Sequence, residues 1–155
     1  MKTHFIKMLN YDYFANKLLL QAIVESKIQH RPIQLMAHLL MAERRWLDRC
    51  NEIEPYPNDL WPTDFTTERL AHLIEEYHEE WINFVDKLND NDFDKIISYQ
   101  NSAGESYQTQ LSDIITHLIN HGTHTRAQAG QQLKLAGAQT LPITDYSYYL
   151  RQLNR

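Results

Sequence analysis

The sequence predicts an all-α four-helix bundle, and three observations carry that prediction. Only four glycines and five prolines punctuate 155 residues, too few breakers for a loop-rich or all-β chain. Apolar residues recur at three- and four-residue spacing over four long stretches. The connections between those stretches are mostly short, which sets the helices side by side. At 43% hydrophobic residues the chain can fill one core without disulfides or structural metal, so 1–155 reads as a single domain.

The first helix spans Phe5 to Ile23, with apolar positions Phe5, Met8, Leu9, Phe14, Leu18 and Leu19. His30-Arg31-Pro32 breaks the chain, and Pro32 suits the first turn of a second helix that runs to about Cys50. That helix is expected to bury Leu35, Leu39, Ala42 and Trp46. Pro55, Pro57 and Pro62 mark a loop around Trp61. Asp64 or Thr66 then caps a third helix reaching about Leu88, with the stripe Leu70, Leu73, Ile74, Tyr77, Trp81 and Phe84. Asp90-Asn-Asp92 ends it. Ile96-Ile-Ser-Tyr99 and Glu105-Ser-Tyr107, either side of Gly104, form a small hairpin. The fourth helix covers Thr109 to Ala136 with Gly137 as its C-cap. After Pro142, Thr144 or Asp145 caps a short last helix carrying Tyr146, Tyr149 and Leu150.

Composition excludes several functions. Lys and Arg number 15 against 20 Asp and Glu, a net charge of −5, and no long basic run offers electrostatic capture of nucleic acid or an anionic membrane. Arg44, Arg45 and Arg49 form a short basic face of solvated helix. The lone Cys50 excludes an intrachain disulfide and suits a reducing compartment, as a partly buried inert thiol. No apolar signal core follows Met1, and no apolar run approaches the roughly 20 residues of a membrane span. The sequence thus reads as a soluble, cytoplasmic protein. One Glu-x-x-His, Glu75 to His78, lacks the second motif and the further glutamates of a di-iron bundle.

The informative segment is His117-Leu-Ile-Asn-His121-Gly-Thr-His124-Thr125-Arg126-Ala-Gln128. On an α-helix, positions 117, 121, 124 and 128 lie along one face. Such a stripe is either a metal or proton-handling site, or a hydrogen-bonded polar layer in which His117 meets a carbonyl or a hairpin tyrosine and His124 faces solvent. His121 and His124 are spaced to share one ion, and a third ligand must come from another element. His38 is the candidate, set among Leu35, Met36, Ala37, Leu39 and Leu40. Arg126 either orients a substrate carboxylate or pairs with a neighbouring helix. Tyr11 and Asn16 sit where they can line the same end of the bundle.

Several stretches resemble the DinB-like (damage-inducible) superfamily of bacterial four-helix bundles, which includes thiol-dependent transferases. They are Tyr11-Asp-Tyr-Phe-Ala-Asn16, His38-Leu-Leu-Met-Ala-Glu43-Arg-Arg-Trp46, Tyr99 with Gly104, the helix-4 segment above, and Thr144-Asp145-Tyr146 with Tyr149-Leu150. The resemblance implies an up-down-down-up bundle, a homodimer, and a divalent metal, nickel or zinc, held by one histidine of helix 2 and two of helix 4. His38 and His121 match two of those ligands. The third position falls on Thr125, a weak ligand, and His124 is the substitute beside it. The implied activity is transfer of a small thiol to an electrophile, or a related hydrolysis. The alternative is a metal-free, non-enzymatic stress-response or binding bundle that has lost its third ligand at Thr125.

Overall fold

The computed structural model describes residues 1–26, 30–53, 59–101 and 103–154. Pro55 and Pro57 of the expected loop lie outside them. Four long helices, α1 (Lys2–Glu25), α2 (His30–Cys50), α3 (Thr67–Asp86) and α4 (Leu111–Leu135), are joined by a hairpin, β1 (Ile96–Gln100) and β2 (Ser106–Gln110), and followed by α5 (Tyr146–Leu153). A single 3-10 turn at Asp90–Asp94 precedes β1.

Local chemistry explains the boundaries. Pro32 lies in the first turn of α2, where a missing N–H costs nothing. Of the two candidate caps of α3, Thr66 is the one used: its hydroxyl accepts from the Arg69 amide. The helix stops at Asp86, short of Leu88. Asn89 and Asp92 form a reciprocal capping box around the 3-10 turn. Asn101 Oδ1 accepts from the amides of Ala103 and Glu105 and folds the hairpin turn, with Gly104 at φ +81°. Thr109, expected in the last long helix, instead pairs with Ile97 across the hairpin, and α4 starts two residues later. Gly137 takes φ +96° beyond α4, and the Ala138 amide closes back onto the Leu133 carbonyl.

Helix directions follow from side-chain pairs. Lys2 meets Asp86, Asn10 meets His78, and Lys17 meets Glu75, so α1 and α3 are antiparallel. His38 meets His121 and Trp46 meets His117, so α2 and α4 are antiparallel. One apolar cluster joins the start of α1 to the ends of α2 and α3 and the start of α4, so the order is up-down-down-up.

The core divides along the bundle axis. One apolar cluster gathers Leu9, Ala15, Leu47, Trp81, Val85, Ile115 and Leu118. The other gathers Leu19, Leu39, Leu40, Leu70, Ile74, Ala129 and Leu133. Between them lies a layer of buried polar side chains: Asp12 and Asn16 from α1, Glu43 from α2 and Arg126 from α4. Trp46, expected in the core, is only partly buried; its indole lies edge-on to Tyr99 and His117 on the flank of α2. Among the described residues no helix is long and apolar enough to cross a membrane.

Candidate functional site

The His38 and His121 side chains converge across the α2–α4 seam, with their Nε2 atoms 3.3 Å apart. His38 is tightly positioned. Its Nδ1–H donates to the Leu60 carbonyl at 2.8 Å, and its ring stacks on Trp61 with centroids 3.7 Å apart and planes 5° from parallel. The carbonyl fixes the tautomer, so the His38 lone pair is on Nε2 and faces His121. Trp61 thus holds the His38 ring in place. Arg31 lies over the same indole, 5.5 Å from the ring centroid.

Both imidazoles are held neutral. Burial lowers His38, and Arg31 adds to the effect against the pull of the Leu60 carbonyl. His121 is lowered to about 4, chiefly by burial and then by the neighbouring His38 and His117. Neutral imidazoles are the form that binds metal. Two imidazole nitrogens on one tetrahedral zinc, each at about 2.0–2.1 Å, stand roughly 3.3–3.4 Å apart. The pair has that spacing.

The other residues of the stripe are placed differently. His117 is largely exposed, with its ring edge-on to Trp46 at 5.3 Å and tilted against His121 at 6.0 Å. His124 is exposed, and its Nε2 accepts from the Gln128 amide at 3.1 Å. Helix geometry explains why it is not brought to the pair. Relative to His121, position 125 is turned about 40° one way and position 124 about 60° the other. The first turn leads into the core, where Thr125 is 1% exposed; the second leads to solvent. The donor set assembled here is therefore two imidazoles. Among the described residues, no group of three or more His, Cys, Asp or Glu side chains is arranged to hold a metal.

Arg126 pairs with a neighbouring helix. Its guanidinium donates to Asp12 Oδ1 at 2.6 Å and to Asn16 Oδ1 at 2.8 Å, beneath the Tyr11 ring. Tyr11 and Asn16 belong to this interior rather than to the histidine pair: the Tyr11 hydroxyl donates to the Thr144 carbonyl, and the Asn16 amide donates to Asp12 and Glu43. Gly122 permits the arrangement, since a Cβ there would stand 2.5 Å from Asp12 Oδ1. Of the basic face, Arg44 bridges to Asp48 and Glu80, and Arg49 lies between the Trp46 and Tyr99 rings. Cys50 is buried and its thiol is pushed up to about 12, which leaves it unreactive.

Sequence reasoning missed Leu60, whose carbonyl is a backbone group, and the stacking role of Trp61. It also missed Asp12 as the partner of Arg126. A signal existed: Asp12 and Asn16 are polar residues at i, i+4 inside an otherwise apolar helix face.

A model of the DinB family matches residues 1–153. Protein DinB of Bacillus subtilis (strain 168) is 22% identical over 159 residues, spanning 93% of this chain and 92% of that protein. No solved structure is significantly similar to the chain. The chain belongs to the DinB family.

Proposed function

We propose that this protein binds a divalent metal, nickel or zinc, through His38 and His121 and acts on a small thiol and an electrophile, or hydrolyses a related substrate. The observation that supports this reading is the 3.3 Å approach of two neutral imidazoles, one of them oriented by a backbone carbonyl. A metal bound there would act as a Lewis acid and favour the deprotonated form of a bound water or thiol. Leu60 and Trp61 fix the His38 ring, and burial keeps both imidazoles unprotonated near neutral pH. With Thr125 buried and His124 spent on Gln128, the remaining positions would fall to water or substrate atoms.

The test is the metal content of untagged protein after equilibration with nickel or zinc, followed by loss of free thiol in the presence of an electrophile. About one ion per chain, lost in His38→Ala together with any thiol consumption, supports the enzyme. Equal, weak binding by wild type and variant contradicts it.

The second reading is a metal-free bundle that binds a partner. It is favoured by the same two departures: the third family ligand is Thr125, and His124 points to solvent. We also propose a homodimer. A groove of about 920 Å³ between α1, α3 and α5 includes Phe14, Leu18, Val24, Ile74 and Leu153, and Val24 and Leu153 are each more than half exposed. Light scattering on Val24→Lys checks it; unchanged dimer mass contradicts this surface.

A further inference from the structure

We infer that the polar layer at the centre of the bundle stores one proton: Glu43 is a neutral carboxylic acid in the folded protein and donates its O–H to Asp12. The charges of the layer do not balance otherwise. Asp12, Glu43 and Arg126 are each at most 7% exposed, and they bring two carboxyl groups against one guanidinium. That guanidinium goes to Asp12 and Asn16, not to Glu43. The hydrogen bond given to Glu43 comes from a neutral amide: Asn16 Nδ2 serves Asp12 Oδ2 at 3.0 Å and Glu43 Oε1 at 3.3 Å. One NH₂ group thus gathers both carboxyls, and Asp12 lies within hydrogen-bonding reach of Glu43.

Among the described residues, the elements around Glu43 supply no counter-charge besides Arg126. From α3, His78 spends its Nε2–H on Asn10 and is itself lowered by burial, and the Tyr77 phenol is pushed up to about 12 and stays neutral. Next to Glu43 on its own helix, Arg44 is engaged by Asp48 and Glu80. The small cavity beside the layer, lined by Glu43, Asp12, His78 and Trp81, measures about 10 Å³. That is room for one water and not for a hydrated cation. An unpaired buried carboxylate is so costly that protonation is the cheaper state. With the proton in place, Arg126 balances Asp12 and the layer is neutral. Burial and the Asp12 charge both push the Glu43 carboxyl well above its ordinary value, which agrees.

A carboxyl raised in the folded state contributes stability that is complete below its unfolded value and is lost as pH rises through the folded value. The test is infrared difference spectroscopy of wild type against Glu43→Gln at neutral pH, with unfolding midpoints measured across pH. Wild type should show the carbonyl stretch of a protonated carboxylic acid, absent in the variant and lost on alkaline titration. Glu43→Gln should be at least as stable as wild type at neutral pH and lose less stability as pH rises. Absence of the acid band from wild type at neutral pH overturns the inference, as does its persistence in the variant. The wild-type spectrum decides even if the variant folds poorly.

Discussion

The histidine pair and the polar layer share α2 and α4, and the layer adds α1, yet they dispose of their hydrogen-bonding capacity in opposite ways. In the layer, Arg126, Asp12, Asn16 and Glu43 bond to one another across three helices, deep inside the bundle. At the pair, His38 commits one nitrogen to the Leu60 carbonyl and turns the other toward His121 at the edge of the fold. A polar cluster whose donors and acceptors are consumed internally is architecture. One that leaves two imidazole nitrogens facing each other, joined only by the proton that His121 Nε2 lends to His38 Nε2, is a place for a ligand. Residue type alone does not separate the two; what each side chain has left over does.

The largest expected effect breaks the layer. Arg126→Met removes the counter-ion of the buried Asp12 and the hydrogen bonds that hold the layer together, at a cost of about 3–5 kcal/mol of stability, read from denaturant unfolding. The histidine pair should remain formed in the fraction that folds. Next comes Gly122→Ala. Alanine in a helix interior ordinarily gains about 1 kcal/mol over glycine. Here the added Cβ meets Asp12 Oδ1, whose position is locked by Arg126. The expected outcome is a net loss of about 1–3 kcal/mol, as in other overpacked sites. A stabilised variant would show that the layer yields more easily than its bonds suggest.

Two substitutions sharpen the pair. Thr125→His adds an imidazole at a position that is 1% exposed, so metal-free protein should lose about 1–3 kcal/mol to overpacking. Nickel should recover stability in this variant more than in wild type, seen as a larger thermal shift. The pair also sets a pH dependence. His121 is lowered to about 4 from 6.5, so on acidification the unfolded chain takes up the proton first. Stability of chelator-treated protein should be complete above pH 6.5 and fall as pH drops toward about 4. His121→Gln should flatten that acid limb, while Glu43→Gln acts on the alkaline one.

The architecture was legible because helix periodicity is a local property that survives without knowledge of partners. Leu70, Ile74, Tyr77 and Trp81 announce the buried face of α3 by spacing alone, and all four are buried. The expected limit of α4 failed at Thr109 because strand pairing with Ile97 is a non-local interaction that outranks helix propensity. At the site, the spacing of His121 and Thr125 and the apolar setting of His38 were visible in sequence. The placement of His124 depends on which side of α4 meets the core, a question the histidine stripe did not answer but the neighbouring apolar residues Leu118, Gly122 and Ala129 did. The bond from His38 to the Leu60 carbonyl joins residues 22 positions apart and uses a backbone group with no side-chain signature, so no sequence rule reaches it.

The most direct measurement is a zinc titration followed by the imidazole nitrogen resonances of ¹⁵N-labelled protein. The account predicts that the Nε2 signals of His38 and His121 shift together, with the Nδ1–H of His38 held on Leu60, while His124 and His78 do not move. Shifts confined to His124 and other exposed histidines, or no shift at either member of the pair, would contradict it.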